Sequence, residues 1–294
     1  MATVTPDIDE ALVSKLIEHQ FPRWAHLPVV AASPQGWDNR TFRLGDELTV
    51  RLPSAAGYAH QIAKESRWLP YLRQHLPVRV PRPLALGRPA LGYPFAWSVS
   101  AWLDGQVLSR ADHPDQAALA QELASFLVAL RAVPIDDAPR PGPETAYRGG
   151  PFAHYAAEAR AALRSLGVRS PVADEVVDEA VASHWEGAPV WFHGDVAVDN
   201  LLVDDRGRLS GVLDFGCSGV GDPACDLVIA FTYFDDEARP VFRRAAEVDD
   251  DTWRRARGWA IWKAAITLAD PGAPAPRRAE QDRALAAVLA EASR

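Results

Sequence analysis

The spacing of apolar positions changes near residue 112, and the change divides the chain. In the first third, short alternating runs predict strands: LPVVAA over 27–32, NRTFRLG over 39–45, ELTVRLP over 47–53, LALG over 84–87 and PFAWSVSAWL over 94–103. SPQGWD and GDE, which separate the first three, are turn-forming. Two helices accompany these strands. One spans 5–19, with Ile8, Leu12 and Leu16 on one face, Thr5 as its cap and Pro6 in the first helical position. The other spans 58–75, where Tyr58, Ile62, Trp68, Leu69 and Leu72 recur at near-helical spacing. Beyond 112 the period is helical, over 115–133, 152–167, 171–185, 226–234, 251–269 and 278–292, with a Pro/Gly-rich loop at 134–151. One hairpin interrupts the helices: NLLV, the turn DDRG, and RLSGVLDFG, within 200–216. The pattern predicts an α+β protein of two lobes. A small β-rich lobe occupies 1–100, a connection 101–105, and a mostly helical lobe 106–294.

Composition narrows the functions available. The 294 residues carry a formal charge of −8, which argues against nucleic acid and anionic membranes as main partners. Cys217 and Cys225 are too few for a disulfide framework and wrongly spaced for zinc, so they read as reduced thiols. The N-terminus MATVTPDIDEALVSKLI lacks the basic-then-apolar order of a signal peptide, and no run of about 18 apolar residues exists to span a membrane. A cytoplasmic location is expected. The basic residues are almost all arginine; the only lysines are Lys15, Lys64 and Lys263.

The chemistry concentrates in WFHGDVAVDNLLV, where Asp195 and Asn200 stand among apolar residues. An acid and an amide near a core are costly unless bonded or used. A tight hairpin returns to its own base, so Asp214, at the end of its second strand, is expected beside Asn200. A carboxylate and an amide oxygen are hard ligands suited to Mg²⁺ bridging phosphates. Asp195 would then accept a proton from an attacking hydroxyl, in a reaction driven by positioning and charge neutralisation. Taken singly, each of the three also reads as an ordinary turn or cap residue.

The ordered set HGD-x-x-x-x-N, DFG and GDPACDLVIAF resembles the aminoglycoside phosphotransferase and choline kinase branch of the eukaryotic-like kinase superfamily. The resemblance implies a bilobal protein-kinase-like fold. It implies Asp195 as the catalytic residue, Asn200 and Asp214 as Mg²⁺ ligands, and ATP, or alternatively GTP, as donor. Asp222 follows Gly216 by only six positions, which leaves no room for a segment that docks a protein substrate, so a small-molecule hydroxyl acceptor is expected. On the nucleotide side, Arg51 stands where the family has lysine; it keeps the charge but offers a planar fork of donors. Glu65, in the following helix, is placed to pair with it. Gly36 lies in the phosphate-covering turn SPQGWDNRTF. Aligning Gly105 with the family's hinge glycine implies the Ala101 carbonyl and Leu103 N–H as adenine partners, with Ser100 behind them. His193 and Asp226 are implied to be scaffold for the loop.

The family's acceptor is most often an antibiotic: an aminoglycoside, a macrolide or another natural product. The alternatives are a metabolic alcohol (choline, homoserine, a fructosamine or a thio-sugar) and a nucleotide-binding pseudokinase. The acidic runs 235–237 and 249–251 read as solvated helix ends or as the lining of a cation pocket. Trp97, Trp102, Trp253, Trp259 and Trp262 read as core or rim packing, or, for 253–262, as an aromatic wall for the acceptor.

Overall fold

The computed structural model describes residues 7–33, 35–36, 38–112, 114–135 and 137–293. The chain forms two compact units. The first is Met1–Asp104 with Gly211–Gly216, and the second is Gly105–Ser210 with Cys217–Arg294. The segment containing Asp214 therefore belongs with the N-terminal unit, although it lies deep in the C-terminal half of the sequence.

The first unit runs α1 (Glu10–Gln20), β1 (Val29–Ala31), β2 (Asn39–Leu44), β3 (Leu48–Pro53), α2 (Ala59–Leu72), β4 (Pro83–Gly87) and β5 (Trp97–Ala101). The strands pair antiparallel in the order β1-β2-β3-β5-β4, with Thr41 opposite Arg51 and Arg51 opposite Ser98. Alternation along β3 sends Leu48, Val50 and Leu52 into a core with Phe42, Leu44, Trp97 and Val99, closed by Val13, Leu16 and Ile17 of α1. The same alternation turns Arg51 the other way. Helix α1 begins at Glu10 rather than at residue 5. Asp9 caps it by accepting the Leu12 N–H at 2.8 Å, with Glu10 adding a favourable acid in the first turn. Thr5 and Pro6 lie outside the described residues.

The second unit holds β6 (Gln106–Val107), α3 (Gln116–Arg131), α4 (Ala153–Ser165), α5 (Pro171–Ala182), β7 (Val190–Phe192), β8 (Leu201–Val203) and β9 (Leu209–Val212), whose last two residues pass into the first unit. It continues with β10 (Gly219–Gly221), α6 (Ile229–Thr232), α7 (Ala238–Ala245), α8 (Asp250–Ala269) and α9 (Ala275–Ala292). Helix α8 lies at its centre, packed on α4, α5 and α9. The single helix expected over 226–234 is instead a 3₁₀ stretch, Pro223–Val228, that runs into one α-turn. Asp222 starts it by accepting the Ala224 N–H, and Pro223 follows in the first position. Strands β7 and β10 pair as a short antiparallel ribbon, Phe192 opposite Gly219.

The acidic runs are helix ends. Asp235 accepts the Glu237 and Ala238 N–H groups, and Asp236 pairs with Arg239. Asp249 caps α8 through Thr252, while Asp250 and Asp251 pair with Arg243 and Arg254. Both cysteines are free thiols. Among the described residues, no helix is long and apolar enough to cross a membrane.

Candidate active site

The loop that follows β7 is shaped by one buried acid. The Asp226 carboxylate accepts the His193 N–H at 2.8 Å on one oxygen and the Gly194 N–H at 2.7 Å on the other. Burial pushes this carboxyl up, and nearby His193 and the two backbone bonds pull it back. Gly194 has φ +87°, and a Cβ there would lie 2.6 Å from the Cys217 carbonyl oxygen, so no other residue fits. The buried His193 ring accepts the Asp195 N–H through Nδ1 at 3.2 Å. Both residues bond backbone, in the scaffold roles the sequence implied.

Asp195 emerges from this loop with both oxygens engaged. Oδ1 accepts from Lys263 Nζ at 3.0 Å and Oδ2 from Asn200 Nδ2 at 3.2 Å; the same Nδ2 also reaches the Asp195 carbonyl at 2.9 Å. Burial would raise the Asp195 carboxyl, but the Lys263 ammonium, with Arg148 and His193 nearby, outweighs it and holds the group well below the usual carboxylate range. Its side chain is still 37% exposed, so an incoming hydroxyl can reach it. Such a carboxylate is a weak base. Lys263 escaped the sequence reading because it stands in α8 among apolar residues, and helical period alone does not say which face meets a loop 68 residues away.

Around this pair, α8 supplies the surroundings. Arg148 donates to the Gly194 carbonyl at 3.1 Å, and its guanidinium lies 4.5 Å from the Trp262 ring and 5.3 Å from both Trp259 and Tyr155. Trp259 and Trp262 thus enclose a cation, with the Trp262 indole N–H donating to Glu158 at 2.7 Å, while Trp253 instead bonds Glu291 on α9. The register of α8 is fixed two turns earlier. There the buried Arg255 reaches Asp222 at 2.7 and 3.3 Å and Ser183 at 2.8 Å.

In the first unit, Arg51 bridges two acids: Glu65 at 2.7 Å and Asp214 at 3.3 Å. Glu65 also accepts the Phe215 N–H at 2.9 Å, so both its oxygens act as acceptors and it is a carboxylate. Burial alone would lower Arg51, but the two acids outweigh it and keep the guanidinium charged; burial pushes Glu65 up against the pull of Arg51. Asp214 sits in the left-handed region at φ +60°, a costly conformation that functional sites retain. Gly216 follows because a Cβ there would lie 2.7 Å from the Gln61 side chain. At the end of β5, the Ala101 N–H bonds Arg82 O at 2.9 Å and the Trp102 N–H bonds Glu47 O at 2.7 Å. Alternation then puts the Ala101 carbonyl and Leu103 N–H on the edge away from Glu47. Trp97 is core, and Trp102 lies under Arg43 at 4.6 Å. The Gly36 carbonyl accepts from Arg40 at 2.8 Å; Pro34 and Trp37 beside it lie outside the described residues.

Asn200 belongs to the second unit and Asp214 to the first. Asn200 turns its NH₂ toward Asp195. Asp214 takes Arg51 and the Gly216 N–H on Oδ1, which leaves Oδ2. Among the described residues no cluster of three His, Cys, Asp or Glu could hold a metal.

Known structures share this fold. The GDP complex of aminoglycoside 2′-phosphotransferase-IIIa is 20% identical, covering 97% of this chain and 99% of that one, with a TM-score of 0.74. The macrolide 2′-phosphotransferase apoenzyme of Brachybacterium faecium is 22% identical over 94% and 97% of the two chains, with a TM-score of 0.60. An uncharacterised Bacillus subtilis (strain 168) protein, YcbJ, is 28% identical over 172 residues, 56% of this chain, and the match spans about half of that relative, 53%. The α+β fold is therefore the kinase-like fold of these phosphotransferases, and with residues 29–259 matching its family profile, the chain belongs to the phosphotransferase enzyme family.

Proposed function

We propose that this protein transfers the γ-phosphoryl group of ATP, with Mg²⁺, to a hydroxyl of a small molecule in the cytoplasm, the acceptor being an antibiotic or related natural product and the outcome resistance. The observation that carries this reading is Asp195: an ionised, solvent-reachable carboxylate on a loop otherwise fixed by Asp226, Gly194 and His193. In the proposed division of labour, Asp195 orients the acceptor hydroxyl and takes its proton. Arg51, held by Glu65, steadies the α- and β-phosphates. The Ala101 carbonyl and Leu103 N–H meet the adenine, and the turn containing Gly36 covers the phosphates. Asn200 and Asp214 hold Mg²⁺, which when bound neutralises the charge on the transferred group. GTP is the alternative donor. Solved relatives captured with GDP, with ADP, with streptomycin and ATP, or with GDP and kanamycin support a nucleotide donor and an antibiotic acceptor.

The test is ADP release from ATP and Mg²⁺ across a panel of antibiotics and metabolic alcohols. Asp195→Asn should cut turnover by about 10²–10⁴-fold and leave the ATP-induced thermal shift in place. Asp214→Ala should abolish turnover by weakening Mg²⁺ binding. Unchanged turnover in Asp195→Asn would refute the assignment.

A further inference from the structure

The Asp195 carboxylate is held at both oxygens, and the two holds are unequal. Asn200 Nδ2 reaches Oδ2 at 3.2 Å, but it is a neutral donor shared with the Asp195 carbonyl at 2.9 Å. Lys263 Nζ donates to Oδ1 at 3.0 Å, and among the described residues it has no other acceptor. A charge-assisted bond is about twice as strong as a neutral one. The rotation of the carboxylate is therefore set chiefly by Lys263. The ammonium is itself kept in place: its side chain is only 16% exposed, and the helix that carries it is tied down on either side of a short interval. Arg255, two turns earlier in α8, bonds Asp222 at 2.7 Å, and the adjacent Trp262 bonds Glu158 at 2.7 Å. Glu280 of α9 lies in the field of Lys263 as a second acid. The choice of residue fits this task. A chain that uses arginine almost throughout places one of its three lysines here. A planar guanidinium forks across both oxygens of a carboxylate and would compete with Asn200 for Oδ2. A compact ammonium takes Oδ1 and leaves Asp195 reachable, with its side chain 37% exposed.

We infer that Lys263 is a positioning residue for the transfer step: it fixes the direction in which the Asp195 carboxylate presents its open lone pairs to the acceptor hydroxyl. This rests on the proposed meeting of Asp195 with that hydroxyl. Lys263 acts through Asp195, so its contribution falls on turnover rather than on nucleotide binding, and it exists only while residue 195 is a carboxylate. With the ammonium removed, the carboxylate turns on the one shared amide bond that remains, and the hydroxyl is no longer held in line. Loss of positioning on the ångström scale should lower kcat by roughly 10–10²-fold.

The experiment is a double-mutant cycle of Lys263→Met and Asp195→Asn in the full chain. It is read as ADP release from ATP and Mg²⁺ with kanamycin, gentamicin, erythromycin, choline and homoserine as acceptors, and circular dichroism confirms that each variant folds. Lys263→Met, which keeps the length of the side chain, should lose roughly 10–10²-fold in kcat, with the KM for ATP and the ATP-induced thermal shift unchanged. In the Asp195→Asn background the same substitution should cost nothing further, because the carboxylate it acts through is gone. Lys263→Ala gives a second reading: its kcat should recover on addition of n-propylammonium but not of tetramethylammonium, which has the charge and no N–H to donate. Wild-type kcat in Lys263→Met, a loss carried by the KM for ATP, a loss undiminished in the Asp195→Asn background, or an equal response to the two ions overturns the inference and leaves the phosphotransferase reading standing. Wild-type turnover in Asp195→Asn, or no ADP release with any of the five acceptors, overturns that reading and the inference with it.

Discussion

Arg51→Met removes the cation that bridges Glu65 and Asp214. Glu65 is only 5% exposed, so orphaning its carboxylate should cost about 3–5 kcal/mol, the usual penalty for breaking a buried pair from one side. Asp214 is 31% exposed and adds at most about 1 kcal/mol, because solvent screens it. The sign of the pH dependence follows from Glu65. Burial already raises its folded-state pKa above the unfolded value, so its contribution is fully present below that unfolded value and is lost as pH rises through the folded one. Without Arg51 the folded value rises further, so the deficit of the variant is largest at neutral pH and shrinks toward pH 5. Hydrogen exchange at the β3 and α2 amides reads the first unit by itself. Adding Glu65→Gln to Arg51→Met should recover about 2 kcal/mol by removing the orphaned charge. Arg51→Lys should keep the Glu65 contact and lose the bridge to Asp214, since an ammonium lacks the planar fork. A loss below about 1 kcal/mol for Arg51→Met, or the same loss at pH 5 and pH 8, would show that the bridge is not what holds Glu65.

Gly194→Ala should destabilise the loop by about 1–3 kcal/mol, from its positive φ and the Cys217 carbonyl, and should lower turnover in the ADP-release assay more than it lowers ATP binding. Arg255→Met should cost about 3–5 kcal/mol in urea unfolding, since Asp222 is left buried without its partner. Burial already raises Asp222, so this deficit too should ease in acid, and Asp222→Asn in the same chain should recover part of it. Asp226→Asn turns an NH₂ toward one of two backbone donors, and about 1–3 kcal/mol should be lost, seen as faster exchange of the His193 or Gly194 amide. Because Lys263 holds the Asp195 carboxyl so low, turnover should show no acid limb from this group between pH 5 and 8; protonation there in a pH–kcat profile would contradict the ion pair.

The polar residues of the run 191–203 stood out because burying them is costly. An acid, an amide and a glycine in an apolar run demand partners, and Asp226 and Asn200 supply them. Arg51 and Glu65 were singled out by the family resemblance, and the structure pairs them at 2.7 Å. Lys263 was not, because its significance lies in a partner 68 residues away and nothing in the helical pattern of 251–269 encodes that distance. Strands β7 and β10 are three residues each, too short for an alternation to declare itself. Helix α7, eight residues long, went unread between two acidic stretches, and the 3₁₀ path over Pro223–Val228 was hidden because every residue in it is buried and no polar face marks its period. The start of α1 shifted because Asp9 is a stronger cap for this helix than a threonine four positions earlier.

Helix α8 carries Arg255, Trp259, Trp262 and Lys263 within little more than two turns: Arg255 ties it to Asp222, Trp262 to Glu158, and Lys263 to Asp195. The loop that bears Asp195 takes its shape from other elements. The surroundings of the Asp195 carboxylate and the shape of the loop that carries it are thus written on separate stretches of chain. Substitution at 263 therefore reaches the Asp195 carboxylate directly, whereas Asp226, Gly194 and His193 keep the backbone of its loop in place.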